Sequence, residues 1–153
     1  GLNVSKSHIH DIVDTATKIT EAVKHQVPLY HPDDDDLAFL YGTILTDGCD
    51  DSSNETSVNL CVFANAQVDR SPTGSGVAAR VALQYQRGLI DLQYKKDFKS
   101  ITGAVFTGRA LKEIRCGKFP AITVEVSGIA HYTGESFFQH ENGDDIGKGF
   151  LLR

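Results

Sequence analysis

Apolar side chains recur three and four positions apart near the start of the chain, and this spacing predicts a helix over residues 5–26. Its apolar stripe consists of Ile9, Ile12, Val13, Ala16, Ile19 and Val23. Ser5 or Ser7 is a candidate cap for its start, and Pro28 enforces its end. The same spacing predicts a second helix from about residue 74 to residue 86. Because the other faces of this helix also carry small or apolar residues, we expect sheet to enclose most of it.

The remaining apolar segments are short and are separated by glycines and polar turns, which is typical of β-strands. The predicted strands cover residues 37–46, 56–63, 98–107, 109–116, 119–132 and 135–139. A polar stretch, residues 47–54, joins the first two strands as a hairpin-like loop. Two helices among many short strands predict an α+β fold rather than alternating βαβ units.

Composition limits the class of protein. The chain has 153 residues, of which 41% are hydrophobic and 23% charged, as expected for one globular unit. The net charge of −5 argues against a nucleic-acid-binding protein, which would carry a basic surface. No segment approaches the roughly 20 apolar residues of a membrane-spanning helix. We therefore expect neither nucleic acid nor membrane as a partner.

The cysteines and histidines indicate no metal or disulfide framework. Cys49, Cys61 and Cys116 are odd in number and widely spaced, which fits a reducing compartment and predicts a cytoplasmic protein. The six histidines also lack the spacing of metal ligands. The chain contains no methionine and begins with Gly1, so we expect a processed chain or a piece of a larger protein.

One polar segment, residues 68–80, has the composition of a ligand-binding loop that leads into the second helix. It reads VDRSPTGSGVAAR. Pro72 fixes the backbone just before the first helical turn, and Gly74 and Gly76 let a ligand approach the main chain. Free N–H groups and the positive end of the helix dipole favour an anion there. A carboxylate or a phosphate is the expected ligand.

The sequence of this loop allows two other interpretations. Residues 74–79 match the dinucleotide pattern G-x-G-x-x-A, but that pattern requires a strand running directly into the first glycine. Here Pro72 and a polar loop intervene, which argues against a nicotinamide or flavin site. The second alternative, a capped core helix that binds nothing, stays open on these residues alone.

Asp69-Arg70-Ser71-Pro72-Thr73-Gly74-Ser75-Gly76, followed by Ala79-Arg80, resembles the second active-site motif of the proline racemase family. Racemases of that family carry a cysteine where this chain has Thr73. The threonine form is similar to the family's dehydratases, which act on trans-3-hydroxy-L-proline. Residues 127–134 (SGIAHYTG) and 1–4 (GLNV) extend the resemblance over the whole chain.

The resemblance implies a fold and a domain organisation. The family's first active-site motif, M-C-G-H, lies in a preceding domain and has no counterpart in this sequence. The chain would therefore be one half of a diaminopimelate-epimerase-like fold, with a mixed or antiparallel sheet around a central helix. Residues 1–139 would form the second domain, and residues 140–153 are a candidate segment for return to the missing first domain. The substrate would lie between the halves.

The resemblance also implies roles for individual residues. Asp69 would hold the ring ammonium of the substrate, and the amides of Gly74 and Ser75 would hold its carboxylate. Thr73 would be the catalytic residue of this half, facing the substrate and bonding the departing hydroxyl. Phe63 would pack on the ring. Two plainer interpretations remain: Asp69 as a loop cap or a partner of Arg70 or Arg80, and Phe63 as an ordinary core residue.

The chemistry implied needs no cofactor. A threonine hydroxyl is too weak an acid to exchange protons as a cysteine does, so one-base elimination of water is expected, giving pyrroline-2-carboxylate. A proline racemase or 4-hydroxyproline epimerase of the same family is the first alternative. A non-catalytic amino-acid-binding domain is the second. The expected partners are a small imino acid and the missing first domain, and the oligomeric state is left open, a homodimer included.

Overall fold

A computed structural model describes residues 3–4, 7–50 and 55–150 of the chain. Its elements, in order, are α1 (Ile9–Gln26), a short 3-10 turn (Asp35–Leu37), β1 (Gly42–Thr46), β2 (Ser57–Phe63), β3 (Gln67–Val68), α2 (Gly74–Gln86), β4 (Lys95–Lys99), β5 (Val105–Cys116) and β6 (Phe119–Gly128). The predicted α+β class is confirmed. The second helix has the predicted bounds because a proline precedes it and a glycine with positive φ, Gly88, follows it.

The described strands form one mixed sheet in the order β1-β2-β4-β5-β6, with β3 added to β2. Neighbouring strands are antiparallel except β2 and β4, which pair in parallel over two residues each. Helix α1 packs on β1 and β2, and α2 packs on β5, β6 and β2. Strand β2 therefore contributes to the packing of both helices.

Alternation along β2 separates two cores. Leu60 and Val62 pack with α1, in a cluster completed by Val4, Ile12 and Ala16. The intervening positions, Ser57, Asn59 and Cys61, are buried polar or sulfur-bearing residues, and Ser57 and Asn59 bond to a side chain of α2. A second apolar cluster lies under α2 and consists of Val77, Val81, Ile90, Phe98 and Ala110. Side chains on opposite faces of β2 therefore contact different helices, because successive residues of a strand point to opposite faces.

Helix α2 is enclosed on one side only. Gly108 of β5 lies so close that an added Cβ would be 2.6 Å from Val81 Cγ2. The opposite stripe, Ser75, Ala79, Leu83 and Gln86, is exposed. The expected enclosure by sheet is therefore correct for the packed face and wrong for this stripe.

Several predicted element bounds are wrong. Strand β1 begins at Gly42 rather than at residue 37, because the acidic run forms a 3-10 turn in which Asp34 accepts the Asp36 N–H. Residues 98–107 are not one strand. A turn separates β4 from β5: Ser100 N–H bonds to the Ala104 carbonyl at 2.8 Å, and Gly103 has a φ of 88°.

The ends of the chain also differ from the prediction. Strand β6 ends at Gly128, where its pairing with β5 ends, and residues 129–132 and 135–139 form no strand, because no strand of the described residues pairs with them. Helix α1 begins at Ile9, and His8 is its N-cap residue but makes no side-chain hydrogen bond to the helix. Ser7 is therefore not the N-cap, and Ser5 lies outside the described residues. The end of α1 before Pro28 is confirmed. The 47–54 loop does join two antiparallel strands, but its residues 51–54 lie outside the described part.

Among the described residues, no helix is both long enough and apolar enough to cross a membrane.

Candidate active site

A reversal of the chain after β2 places the polar loop at the start of α2. Ala64 and Ala66 adopt positive φ values of 47° and 58°, and β3 then returns antiparallel to β2. The pairing continues one residue further, since Asp69 N–H donates to the Cys61 carbonyl at 3.0 Å. The end of β2 and the start of the loop are thus joined by backbone hydrogen bonds.

Asp69 organises the loop through both carboxylate oxygens. Its Oδ1 accepts the Ser71 N–H at 2.8 Å, and its Oδ2 accepts the Thr73 hydroxyl at 2.7 Å. Burial, the largest single influence, would raise the pKa of Asp69, but these hydrogen bonds and the nearby Arg70 charge together hold that pKa below its usual value. Asp69 does cap the loop, then, but it does not pair with Arg80, which bonds to Asp50 instead.

Thr73 is the residue immediately before α2, and its conformation is unusual. It is 7% exposed, with φ 66° and ψ 106°, a region that β-branched residues seldom adopt. Its side chain makes no capping hydrogen bond to the helix, and its hydroxyl donates to Asp69. The Thr73 N–H donates to Ser71 Oγ at 3.0 Å.

The first turn of α2 has the features of an anion site. The first helical bond runs from Val77 N–H to the Thr73 carbonyl at 2.8 Å. The N–H groups of Gly74, Ser75 and Gly76 therefore have no acceptor within the helix. No acidic side chain occupies this turn to compete for them. The turn can bind a carboxylate with backbone donors and the helix dipole.

Two clefts flank this turn. One, of about 260 Å³, is lined by Leu40, Tyr41, Gly42, Ile44, Cys61, Thr73, Ser75, Gly76 and Ala79. The other, of about 390 Å³, is lined by Gly74, Phe106, Val126, Ser127, Gly128, Ile129 and Ala130. Thr73 and Ser75 share the first cleft, while Gly74 lines the second. The late glycine-rich segment singled out in the sequence thus lies beside the helix start.

Phe63 is not in the cleft that contains Thr73. Its ring stacks on Tyr41 with centroids 5.2 Å apart, and it lines a separate cavity of about 290 Å³ beside α1. Tyr41 and Gly42 line both spaces. Packing of Phe63 on a substrate ring therefore stays a prediction.

Cys61 and Tyr41 line the Thr73 cleft but were missed by reasoning from the sequence. Burial, the dominant influence, raises the pKa of the Cys61 thiol, although a hydrogen bond with Thr73 opposes the rise. Cys61 is therefore a neutral thiol at pH 7. The alternation Ser57, Asn59, Cys61 along β2 was the available signal, since it places all three on one face.

In the part of the chain that the structure describes, no group of three or more His, Cys, Asp or Glu side chains could hold a metal ion.

These features define an α+β domain in which the first N–H groups of a helix have no acceptor within it and follow a loop that Asp69 folds around Thr73. The sequence model of the family described as "Proline racemase" matches residues 1–151. The chain belongs to the proline racemase family.

The curated relatives are named as dehydratases or epimerases of 3-hydroxyproline. A "Trans-L-3-hydroxyproline dehydratase" of Xenopus tropicalis is 60% identical, and a "Trans-3-hydroxy-L-proline dehydratase" of Homo sapiens is 56% identical. Each alignment covers 100% of this chain and 44% of the relative. A "3-hydroxyproline 2-epimerase" of Burkholderia multivorans is 38% identical, over 99% of this chain and 45% of that protein. The chain spans less than half the length of these relatives.

Solved structures support the fold. A probable proline racemase from Agrobacterium radiobacter K84, with bound carbonate, matches with a TM-score of 0.85 and 24% identity, over 99% of this chain and 44% of that chain. A hydroxyproline epimerase from Agrobacterium vitis, with bound trans-4-hydroxy-L-proline, matches with a TM-score of 0.84 and 21% identity. The expected half of a two-domain epimerase-type fold agrees with these half-length matches.

Proposed function

We propose that this chain is the C-terminal half of a cofactor-independent hydro-lyase that converts trans-3-hydroxy-L-proline to pyrroline-2-carboxylate and water. The observation that carries the proposal is the hydroxyl of Thr73 at the start of α2, where a two-base enzyme needs an exchangeable thiol. Relatives named as dehydratases, up to 60% identical over the whole chain, support the same substrate.

The substrate would be bound through its two charges. Its carboxylate would accept the N–H groups of Gly74 and Ser75, at the positive end of the helix dipole. Its ring ammonium would bind Asp69, whose lowered pKa keeps the carboxylate charged at neutral pH. Phe63 would pack against the ring once the two halves close.

The bond changes require one base. A base in the other half would remove the C2 proton, and the electron pair of that bond would form the C2–C3 double bond as the C3–O bond breaks. The departing hydroxide would take a proton from an acid of the other half and leave as water. The enamine would then rearrange to pyrroline-2-carboxylate. The helix-terminal donors stabilise the charge that develops next to the carboxylate.

Thr73 would orient the substrate rather than move its α-proton. Its hydroxyl hydrogen points to Asp69 at 2.7 Å, so its oxygen lone pairs are what it can offer to a ligand in the cleft. We infer that Thr73 accepts a hydrogen bond from the C3 hydroxyl and aligns the leaving group. A cysteine at this position would instead supply a second exchangeable proton.

Residues 1–139 would be the second domain of the full-length protein, and residues 140–153 would return to the first domain. Large apolar side chains in the last segment support this, because Ile146 is 67% exposed and Phe150 is 69% exposed here. The partners would be the imino-acid substrate and the first domain, with no nucleic acid. A cytoplasmic location belongs to the same proposal.

A second candidate is an epimerase of the same family, and the Burkholderia multivorans relative named as a 3-hydroxyproline 2-epimerase favours it. The direct test gives full-length protein trans-3-hydroxy-L-proline and separately L-proline, with no added cofactor. Formation of pyrroline-2-carboxylate from the first supports the proposal. Racemisation of proline with no dehydration would refute it. Tight binding of pyrrole-2-carboxylate, a planar mimic of the carbanion, by a protein that turns over neither imino acid would identify a binding module instead.

A further inference from the structure

A buried arginine connects α2 to the strand beside the site. Arg80 lies about two turns after the helix start and is 7% exposed. Its Nη1 donates to Ser57 Oγ at 2.8 Å and to Asn59 Oδ1 at 2.6 Å, and its Nη2 donates to the Asp50 carboxylate. Its guanidinium also stands 5.2 Å from the centroid of the Phe98 ring. Charged hydrogen bonds in this number hold their partners in one arrangement.

Asn59 passes this constraint to the active-site loop. It is fully buried, its Oδ1 accepts from Arg80, and its Nδ2 donates to the Pro72 carbonyl at 3.1 Å. Because the arginine can only donate, the amide oxygen must face Arg80 and the amide NH₂ must face Pro72. The orientation of the side chain is thus fixed by charge.

The peptide unit between Pro72 and Thr73 is held at both polar groups. Its carbonyl accepts from Asn59, and its N–H donates to Ser71 Oγ at 3.0 Å. Rotation about the next bond is the φ angle of Thr73, which is 66°. A backbone angle this unfavourable persists only where surrounding contacts fix it.

We propose that Asn59 and Arg80 are positioning residues, which hold Thr73 in this conformation and so aim its hydroxyl and the first N–H groups of α2 at the substrate. This inference rests on the function proposed above. Neither side chain lines the cleft that contains Thr73. They act through Pro72, and their effect should fall on the reacting geometry more than on initial binding.

Asn59→Asp in the full-length protein tests the inference. The new carboxylate keeps the size of the side chain and its bond from Arg80 but has no donor for the Pro72 carbonyl. Displacing reacting groups by a fraction of an ångström to 1 Å costs up to about 100-fold in rate. We expect kcat to fall about 10-fold to 100-fold with KM changed less than about twofold. Affinity for pyrrole-2-carboxylate, a planar mimic of the carbanion, should fall with kcat, and affinity for L-proline should fall much less.

Ser57→Ala is the matched control. Ser57 is equally buried and also accepts from Arg80, but its hydroxyl donates to Asp47 at 3.1 Å rather than to the Pro72 carbonyl. This variant should lose thermal stability and keep the wild-type kcat. Should Asn59→Asp fail to fold, Arg80→Lys must show the same loss of kcat. Lysine keeps the positive charge beside Asp50 but lacks the guanidinium nitrogen that donates to Asn59.

The outcomes separate the two proposals. A wild-type protein that does not dehydrate the substrate refutes the proposed function, and the positioning role is then judged by pyrrole-2-carboxylate binding alone. If the wild-type protein is active, and Asn59→Asp and Ser57→Ala have the same kcat and the same affinity for pyrrole-2-carboxylate, the positioning role is overturned. A higher KM of Asn59→Asp with an unchanged kcat would overturn it as well.

Discussion

Thr73 occupies a backbone conformation that costs about 1–3 kcal/mol, and the loop around it supplies the bonds that compensate. Its N–H, its hydroxyl and the preceding carbonyl are all hydrogen-bonded within this chain. The side chain is therefore fixed before any substrate arrives. Such preorganisation is what a residue needs if it is to align a leaving group.

Replacing Thr73 by cysteine should change the reaction type. A thiol beside a helix N-terminus forms thiolate far more readily than a threonine hydroxyl forms alkoxide, although the Asp69 charge opposes this. We expect Thr73→Cys in the full-length protein to racemise L-proline and to dehydrate hydroxyproline more slowly. The measurement is the formation of D-proline by chiral chromatography, with Thr73→Ser as the control that should form none. Equal racemisation by both variants would contradict the role given to Thr73.

At the residue scale, the sequence indicated which side chains form the loop but not how they bond. Asp69 and Thr73 stand four positions apart in a segment with no helical or strand period, so no pattern predicts that one bonds the other. Their link depends on the positive φ of Thr73. A β-branched residue gives no sequence signal for such an angle.

At the scale of elements, the alternation of side chains along β2 explains which of its residues reach the site. Leu60 and Val62 pack on α1, while Asn59 and Cys61 face α2 and the loop. The helix bounds were predictable because a proline and a glycine mark them. The β4–β5 boundary was missed because Ser100 and its neighbours form a turn inside an apolar run.

Close packing between α2 and β5 should make Gly108 intolerant of a side chain. An added Cβ would lie 2.6 Å from Val81 Cγ2 and 2.8 Å from Val77 Cγ1, well inside contact distance. Overpacking of this kind costs about 1–3 kcal/mol, so Gly108→Ala should lower the unfolding free energy by that amount. The double variant with Val81→Ala should lose less than the sum of the two single changes, as measured by chemical unfolding. Strict additivity would show that the two elements do not touch.

The bond between Asp50 and Arg80 should give a pH-dependent contribution to stability. Burial, the largest single influence, would raise the pKa of Asp50, but the hydrogen bond and charge of Arg80 prevail and lower it. A lowered pKa stabilises the folded state above the unfolded value and loses this contribution as the pH falls through the folded value.

Asp50→Asn should therefore lower the unfolding free energy at pH 7 by about 1–2 kcal/mol, less than for a fully buried pair, since the Asp50 side chain is 35% exposed and water screens it. The difference between wild type and variant should shrink as the pH falls below about 4. Asp97→Asn is the control, because Asp97 accepts a hydrogen bond from the neutral hydroxyl of Thr107. A difference that is constant from pH 7 to pH 3 would contradict the assigned cause.

At the scale of the whole molecule, the segment after β6 exposes large apolar side chains. Ile129, Tyr132, Phe137 and Phe138 are each at least 80% exposed. The adjacent aromatic residues Phe137 and Phe138 favour a strand by composition, which explains the wrong prediction of strand at 135–139. A strand also needs a neighbour, and a sequence pattern does not report whether the neighbour lies in the same half.

The proposed return of residues 140–153 to the first domain predicts slow amide exchange in that segment. In the full-length protein, residues 140–150 should exchange hydrogen for deuterium at least about 100-fold more slowly than an unstructured peptide, since packed backbone is protected. Mass spectrometry of peptic fragments measures this directly. Exchange at the unstructured rate would contradict the return of residues 140–153 to the first domain.

The most direct test of the account follows wild-type full-length protein and trans-3-hydroxy-L-proline in D₂O by NMR to partial conversion. If Thr73 cannot return a proton from the second face, pyrroline-2-carboxylate accumulates and every remaining substrate molecule keeps its L configuration. Accumulation of the C2 epimer before or instead of pyrroline-2-carboxylate would contradict the account, because it would require a second exchangeable base in this half.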